Sequence, residues 1–263
     1  MRKTVLTLIS AAFMAACGGG TDPGTSVAIK FGTAGSAASP SSAAMFSVGG
    51  RQAADVAGHI EGSNGELNLT GIWVIVEEFE LEPVEVTDCD IEPEPAGCAD
   101  FKQKYFFINV PLDGTTITVV SAEIPDGSYD ELEFEVDDVE VDPDDPEEQA
   151  EADLIAALLL TVRGQFPTWP EEASMLVTGT WNPTNGPAVS FETYFDADIE
   201  VEMDLVPVLT VALGVASRDL TILLRPDLWF LRSDGTVWNL KHLEGQLVDF
   251  DLEIEDGFEL EID

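Results

Sequence analysis

Basic residues are scarce in this chain: 11 Lys and Arg stand against 51 Asp and Glu, giving a formal charge of −40 over 263 residues. That balance excludes nucleic-acid binding, because a protein must bring cations to displace the counterions condensed on phosphate. It also sets the chain against an anionic membrane surface. Histidine is nearly lacking. His59 and His242 are the two, and neither sits in a metal-ligand spacing or beside a nucleophile motif such as G-x-S-x-G. Catalysis therefore has little to stand on, and no enzyme is expected. The opening apolar run, Val5 to Ala16, falls short of the about 20 residues that a membrane-spanning helix needs.

What is present makes a globular chain: 45% hydrophobic residues, with 14 Phe. The acidity reads in two ways. Solubility and colloidal stability are the plain one, and binding of a divalent cation is the sharper one.

The start Arg2-Lys3, the apolar run and Met14-Ala15-Ala16-Cys17 resemble a bacterial lipoprotein signal with its lipobox, although Met14 stands where Leu is usual. The resemblance implies cleavage after residue 16, acylation of Cys17 and residence in the cell envelope. The expected location is the outer membrane, facing the periplasm or the cell surface. Several acyl chains, at about 0.8 kcal/mol per buried methylene, would anchor the chain durably. The lipid is thus the expected membrane contact. Residues 17–65, rich in Gly, Ser, Ala and Thr, read as a lipidated tether and mobile loop, with a first strand at 27–31 carried by Val27, Ile29 and Phe31. A coil of about 47 residues would span roughly 35 to 40 Å. In an oxidising compartment Cys89 and Cys98 are expected to form a disulfide, closing a loop worth about 2.5 kcal/mol.

Residues 66–263 read as one all-β sandwich domain of antiparallel strands with one inserted helix. Leu67, Leu69, Trp73, Ile75, Phe79 and Leu81 alternate along one face of a strand, with Ile72, Val74 and Val76 on the other, so its centre is expected to be buried on both sides. Residues 106–110, 115–124 and 132–141 supply further strands, with a bulge near Asp137 and Asp138. Asp145 as cap, Pro146 at the first turn and the stripe Leu154, Ile155, Leu158, Leu159, Val162 predict a helix over about 146–163, closed by Gly164. From Val189 to Leu205 apolar residues hold every second position except Thr193, and Asp196, Asp198, Glu200, Glu202 and Asp204 lie opposite. At about 55 Å this strand is expected to bend or split between sheets. Val248, Phe250, Leu252 and Ile254, then Phe258, Leu260 and Ile262, predict a closing hairpin.

The stretch Leu67–Leu81, the close Cys89/Cys98 pair, Phe107–Gly114 and Ile124–Phe134 resemble an uncharacterised family of bacterial lipoprotein domains, with Asp126 in place of that family's usual Ala. The resemblance implies an immunoglobulin-like β-sandwich and no particular activity.

For chemistry, the acidic run Asp137, Asp138, Glu140, Asp142, Asp144 and Asp145 is the candidate Ca2+ site, since hard oxygens on a flexible loop suit that ion. The EF-hand order is missing from it. Consecutive carboxylates along 196–204 are about 6.8 Å apart, too far to share an ion unless a neighbouring strand contributes. Trp181, Trp229 and Trp238, near turn signals, are the candidate glycan platform. The expectation is an acylated, non-enzymatic binding or structural module with a protein or glycan partner. A hydrolase or a glycan-binding module is the alternative. Replacing Cys17 with Ser should release the protein from membranes into the aqueous phase of a detergent partition; continued membrane association would refute the anchor.

Overall fold

The computed structural model describes residues 25–34, 58–84, 100–138, 146–212, 218–251 and 257–262. Cys17, Cys89, Cys98, Glu140, Asp142, Asp144 and Asp145 lie outside them. The described chain is mostly strand, in two sheets. The first sheet comprises β1 (Thr25–Thr33), β5 (Thr116–Ile124), β9 (Arg218–Leu224) and β11 (Phe258–Ile262), in the order β11-β9-β1-β5. The second holds β2 (His59–Gly62), β3 (Gly65–Pro83), β4 (Phe101–Val110), β6 (Gly127–Val136), β7 (Met175–Pro183), β8 (Val189–Val211) and β10 (Leu247–Asp251). Two pairings, β1 with β9 and β10 with β8, are parallel. That corrects the expectation of wholly antiparallel strands.

Two long strands organise the second sheet. β2 and then β4 pair with one edge of β3, while β7 and then β6 fill the space between β3 and β8. At the seam where β7 begins, Ser174 bridges both long strands. Its carbonyl accepts from the Ile75 N–H at 2.8 Å and its own N–H donates to Phe195 O at 3.0 Å. Its hydroxyl donates to Ala197 O at 2.8 Å and accepts from Ala197 N at 2.7 Å. A fully buried serine thus supplies the pairing that a strand residue would otherwise make.

The apolar side chains divide into two cores. Val27, Ile29 and Phe31 from the first sheet meet Leu132, Phe134, Phe195, Ile199 and Val201 from the second, with Phe31 edge-on to Phe134 at 5.7 Å. On the outer face of the second sheet, α1 (Pro146–Gln165) lays Ile155, Leu158 and Val162 over Ile75 and Leu176. Trp169 closes the helix end, its indole N–H donating to Ala173 O at 2.7 Å. Leu154 is exposed rather than part of the stripe, because it sits at the stripe's margin, about a quarter of the way round the helix from Ile155 and Val162.

β3 serves both cores, its centre buried on both sides as expected, but by slipping phase: Trp73 and Ile75 do not share a face with Leu67, Leu69, Phe79 and Leu81. Leu67 and Leu69 point inward, then Ile72, Val74 and Val76, then Phe79 and Leu81, while Trp73 and Ile75 turn toward the helix. The first slip is a register shift between Leu69 and Gly71 against β7. The second falls opposite Tyr105, whose backbone takes a left-handed φ of 58°, and β4 changes phase with β3 there. The strand before Asp137 ends at Val136, so no bulge is needed at Asp137 and Asp138; the register shift of β6 lies between Tyr129 and Glu131 instead.

β8 keeps one phase from Phe191 to Leu205 and stays in a single sheet, so of the two expected outcomes, bending or splitting, it does not split. Thr193, the polar member of its buried face, donates to Leu240 O at 2.9 Å from α3 (Leu240–Leu243). The closing hairpin does not form, since β10 joins the second sheet and β11 the first. Equal apolar phase sets which face a strand buries, not its partner. Phe250 and Phe258 instead approach from opposite sheets and meet Trp229, of α2 (Pro226–Phe230), at 6.5 and 5.5 Å.

Gly179 packs so closely between β3 and β8 that a Cβ would lie inside contact distance of the Asn68 carbonyl oxygen and the Phe191 ring. Backbone cannot yield as a side chain can. Gly179→Ala should therefore cost about 1 to 3 kcal/mol in urea unfolding, and an unchanged midpoint would refute this packing.

Candidate functional site

Three strands carry the same alternating acidic pattern: Glu78, Glu80 and Glu82 on β3; Glu131, Glu133 and Glu135 on β6; Glu200, Glu202 and Asp204 on β8. Their apolar partners Phe79, Leu81, Leu132, Phe134 and Val201 face the core, so alternation turns every carboxylate to the outer surface. Register then aligns them. Glu78 faces Glu135 and Glu135 faces Glu200; Glu80, Glu133 and Glu202 make the next row; Glu82, Glu131 and Asp204 the last. Neighbouring strands lie about 4.8 Å apart. The β8 carboxylates, too widely spaced along their own strand, thus acquire close partners from the strand beside them.

One flank of this array is neutralised. Lys102 Nζ reaches Glu80 at 2.5 Å and Glu78 at 3.1 Å, and Lys104 Nζ reaches Glu78 at 3.1 Å and Glu151 at 3.5 Å. Glu78 is consequently held below the usual carboxylate range: burial pushes it up, and the two ammonium groups together outweigh that push. Moving away from β4, the balance reverses. Burial, then repulsion from Glu80, Glu200, Glu202 and Glu82, pushes Glu133 up to about 6. Glu131 and Glu135 are raised by burial and by their own acidic neighbours.

At the seam between β6 and β7 the array continues into Asp137. One carboxylate oxygen from each of Glu77, Glu135 and Asp137 lies within 4.8 Å of the others, and Glu80, Glu82 and Glu133 form a second such group. The seam group is half-buried. Asp137 is raised by burial and by Asp198 and Asp196, against the lowering effect of the Asp138 N–H, which donates to Asp137 Oδ1 at 2.7 Å. A cation of Ca2+ size, with ligand distances of 2.3–2.6 Å, can bridge oxygens at this separation. Of the six acidic residues singled out in the sequence, Asp137 joins this group, Asp138 stands next to it, and the other four lie outside the described residues.

The candidate aromatic platform is packed rather than exposed. Trp181 and Trp229 are buried, and Trp238 is half-buried beneath the Arg232 guanidinium at 4.9 Å. The two histidines are far from the acidic rows in the chain's pairing. His59 holds Asn68 at 2.8 Å and Glu61 at 3.2 Å, and His242 is exposed on α3. An open depression of about 420 Å³ beside the last acidic row is lined by Glu131, Glu202, Asp204, Met203 and Leu260. Its polar lining is carboxylate.

The chain matches no protein-family model, and neither curated proteins nor solved structures give a match.

Glu133 supplies a pH test. Its folded pKa lies above its unfolded one, so the folded state binds the extra proton. This carboxylate is therefore least costly below about pH 4.5 and costs most once pH has risen past about 6. Glu133→Gln should raise stability on the order of 1 kcal/mol at pH 7.5, discounted for screening by water, with the gain vanishing near pH 4.5. A pH-independent difference in unfolding midpoint would contradict the assigned repulsion.

Proposed function

We propose that this chain is an exported lipoprotein, acylated on Cys17 and held at the cell envelope. Its β-sandwich is a non-enzymatic binding or structural module whose acidic face takes a divalent cation, Ca2+ foremost. The observation that carries the cation reading is the seam group of Glu77, Glu135 and Asp137, whose oxygens converge within 4.8 Å from two different strands and the residue that follows one of them. It is preferred over the group of Glu80, Glu82 and Glu133 because Lys102 already neutralises Glu80.

The anchor reading rests on Cys17 and the residues before it. Two sheets around a shared core support an immunoglobulin-like arrangement, and the parallel β1–β9 and β10–β8 pairs are this domain's own departures. Hard carboxylate oxygens without a thiolate or imidazole among them favour Ca2+ over softer transition metals. Glu140, Asp142, Asp144 and Asp145 follow within eight residues of Asp137 in the sequence and carry oxygens of the same kind.

A cation bound only by the folded state must raise its unfolding temperature in a concentration-dependent way. General screening would stabilise so acidic a chain as well. The comparison is therefore Ca2+ against Mg2+ and Na+ at matched ionic strength. Ca2+ should add about 5 to 10 °C at a hundredfold excess over its dissociation constant, and Glu135→Gln with Asp137→Asn should remove most of that gain. Equal stabilisation by all three ions, unchanged in the double variant, would leave the acidity as a solvated surface.

A further inference from the structure

The outer strands of the two sheets are not alike in their charge. β11 carries Glu259 and Glu261, β10 carries Asp249 and Asp251, and β4 carries Lys102 and Lys104 with the left-handed Tyr105 between them and the strand's end. β2 is four residues long and bears His59 and Glu61. Charge, irregular backbone and brevity are the devices by which sheets prevent another strand from adding. β5 has almost none of them. From Thr116 to Ala122 it has no charged residue, in a chain where 24% are charged, and Glu123 is its one carboxylate. Thr116, Ile117, Thr118, Val119 and Val120 are all β-branched and suit an extended strand.

β5 pairs with β1 on one side, and among the described residues no strand pairs with the other. Ile117 records the consequence. Its cross-strand partner Phe31 is 1% exposed in the core, whereas Ile117, on the same side of the sheet, is 40% exposed. An inward-facing isoleucine is left uncovered because the sheet stops there. A bulge at the Ile29/Lys30 pairing, which leaves Val119 unmatched, is with Glu123 the guard visible on this edge.

We propose that a second copy of this chain adds to β5, antiparallel, so that the first sheet continues across a two-fold axis into its partner. The choice of a second copy follows from charge. An uncharged edge has nothing to attract a basic partner, while two copies of so acidic a chain can approach only where neither presents carboxylates. Antiparallel self-pairing meets that condition: with Val120 opposite Val120, Glu123 faces Ile117 and no acidic pair is opposed. Such a contact is isologous and closes at two copies. Nine paired residues bury less than the roughly 1,200 Å² of a stable interface, so the dimer is a weak one, and repulsion between the two chains makes it stronger in high salt. The inference is independent of the cation reading and rests on a different sheet.

Sedimentation of the full chain carrying Cys17→Ser, so that no acyl chain drives association, tests it at 50 and 500 mM NaCl up to millimolar protein. The dimer fraction should rise with both protein and salt. Thr118→Asp with Ser121→Asp should weaken dimerisation at least tenfold and leave the monomer's unfolding temperature unchanged. Hydrogen exchange on the unsubstituted strand locates the contact without relying on that variant: β5 amides should gain protection as concentration rises, and β11 amides should not. Monomer at every concentration and salt would overturn the proposal. A dimer that leaves β5 exchange unaltered would assign another face, and β5 amides already protected in dilute monomer would assign the edge to the chain's own residues; either result overturns it.

Discussion

Buried backbone groups must find partners without water, and at the seam between β7 and β6 that demand falls on one residue. β3 and β8 are too far apart to pair with each other, and neither inserted strand is long enough to span both. Ser174 answers for the missing length, joining Ile75 on one side to Phe195 and Ala197 on the other. Leaving one such group unpaired would cost about 1 to 3 kcal/mol. The continuity of the long strands, and with it the position of everything that stands on them, depends on this bridge. The acidic seam group lies next to it, because Asp137 is where β6 leaves the sheet as β7 enters.

The acidic face exists because the core beneath it outweighs the repulsion above. Each of Leu132, Phe134, Val136, Ile199 and Val201 is buried, contributing about 1.5 to 3 kcal/mol. The cost of keeping Glu133, the central carboxylate, ionised, from burial first and then from its acidic neighbours, is on the order of 1 kcal/mol after screening by water. A one-residue slip would relieve the repulsion by turning carboxylates into the core, where the loss is far greater. Hydrophobic register therefore dictates charge register. The glutamates line up as a by-product of the packing, and any use of that alignment draws on a geometry the core already maintains.

Much of this was legible in the residues. Alternation in β8 names its buried face correctly through Leu205, and Pro146 with the Ile155, Leu158 and Val162 stripe finds the helix on the outer sheet. What alternation does not carry is partnership. Phe250 and Phe258 have compatible phase and a turn-like sequence between their strands, yet they enter different sheets and meet Trp229, which belongs to neither strand. β3 misled for a related reason: its two phase slips sit where its neighbours change, at Gly71 and opposite Tyr105, and those neighbours are distant in sequence. The acidic rows had a signal that could have been used. The triple E-x-E-x-[ED] alternation in three separate strands is visible at once, and only antiparallel pairing in register was needed to stack it.

The spacing of those rows sets what can quiet them. Physiological salt screens over about 8 Å, whereas adjacent strands are about 4.8 Å apart. The ionic atmosphere is thus too diffuse to separate one carboxylate from the next. A neighbour's charge is cancelled only by something seated between them: a proton, an ammonium or a metal ion. Lys102 and Lys104 do this on the β4 side. Among the described residues the face grades from lysine-compensated carboxylates beside β4 to carboxylates without an ammonium partner on β8, so within three strands the sheet carries a lateral electric gradient.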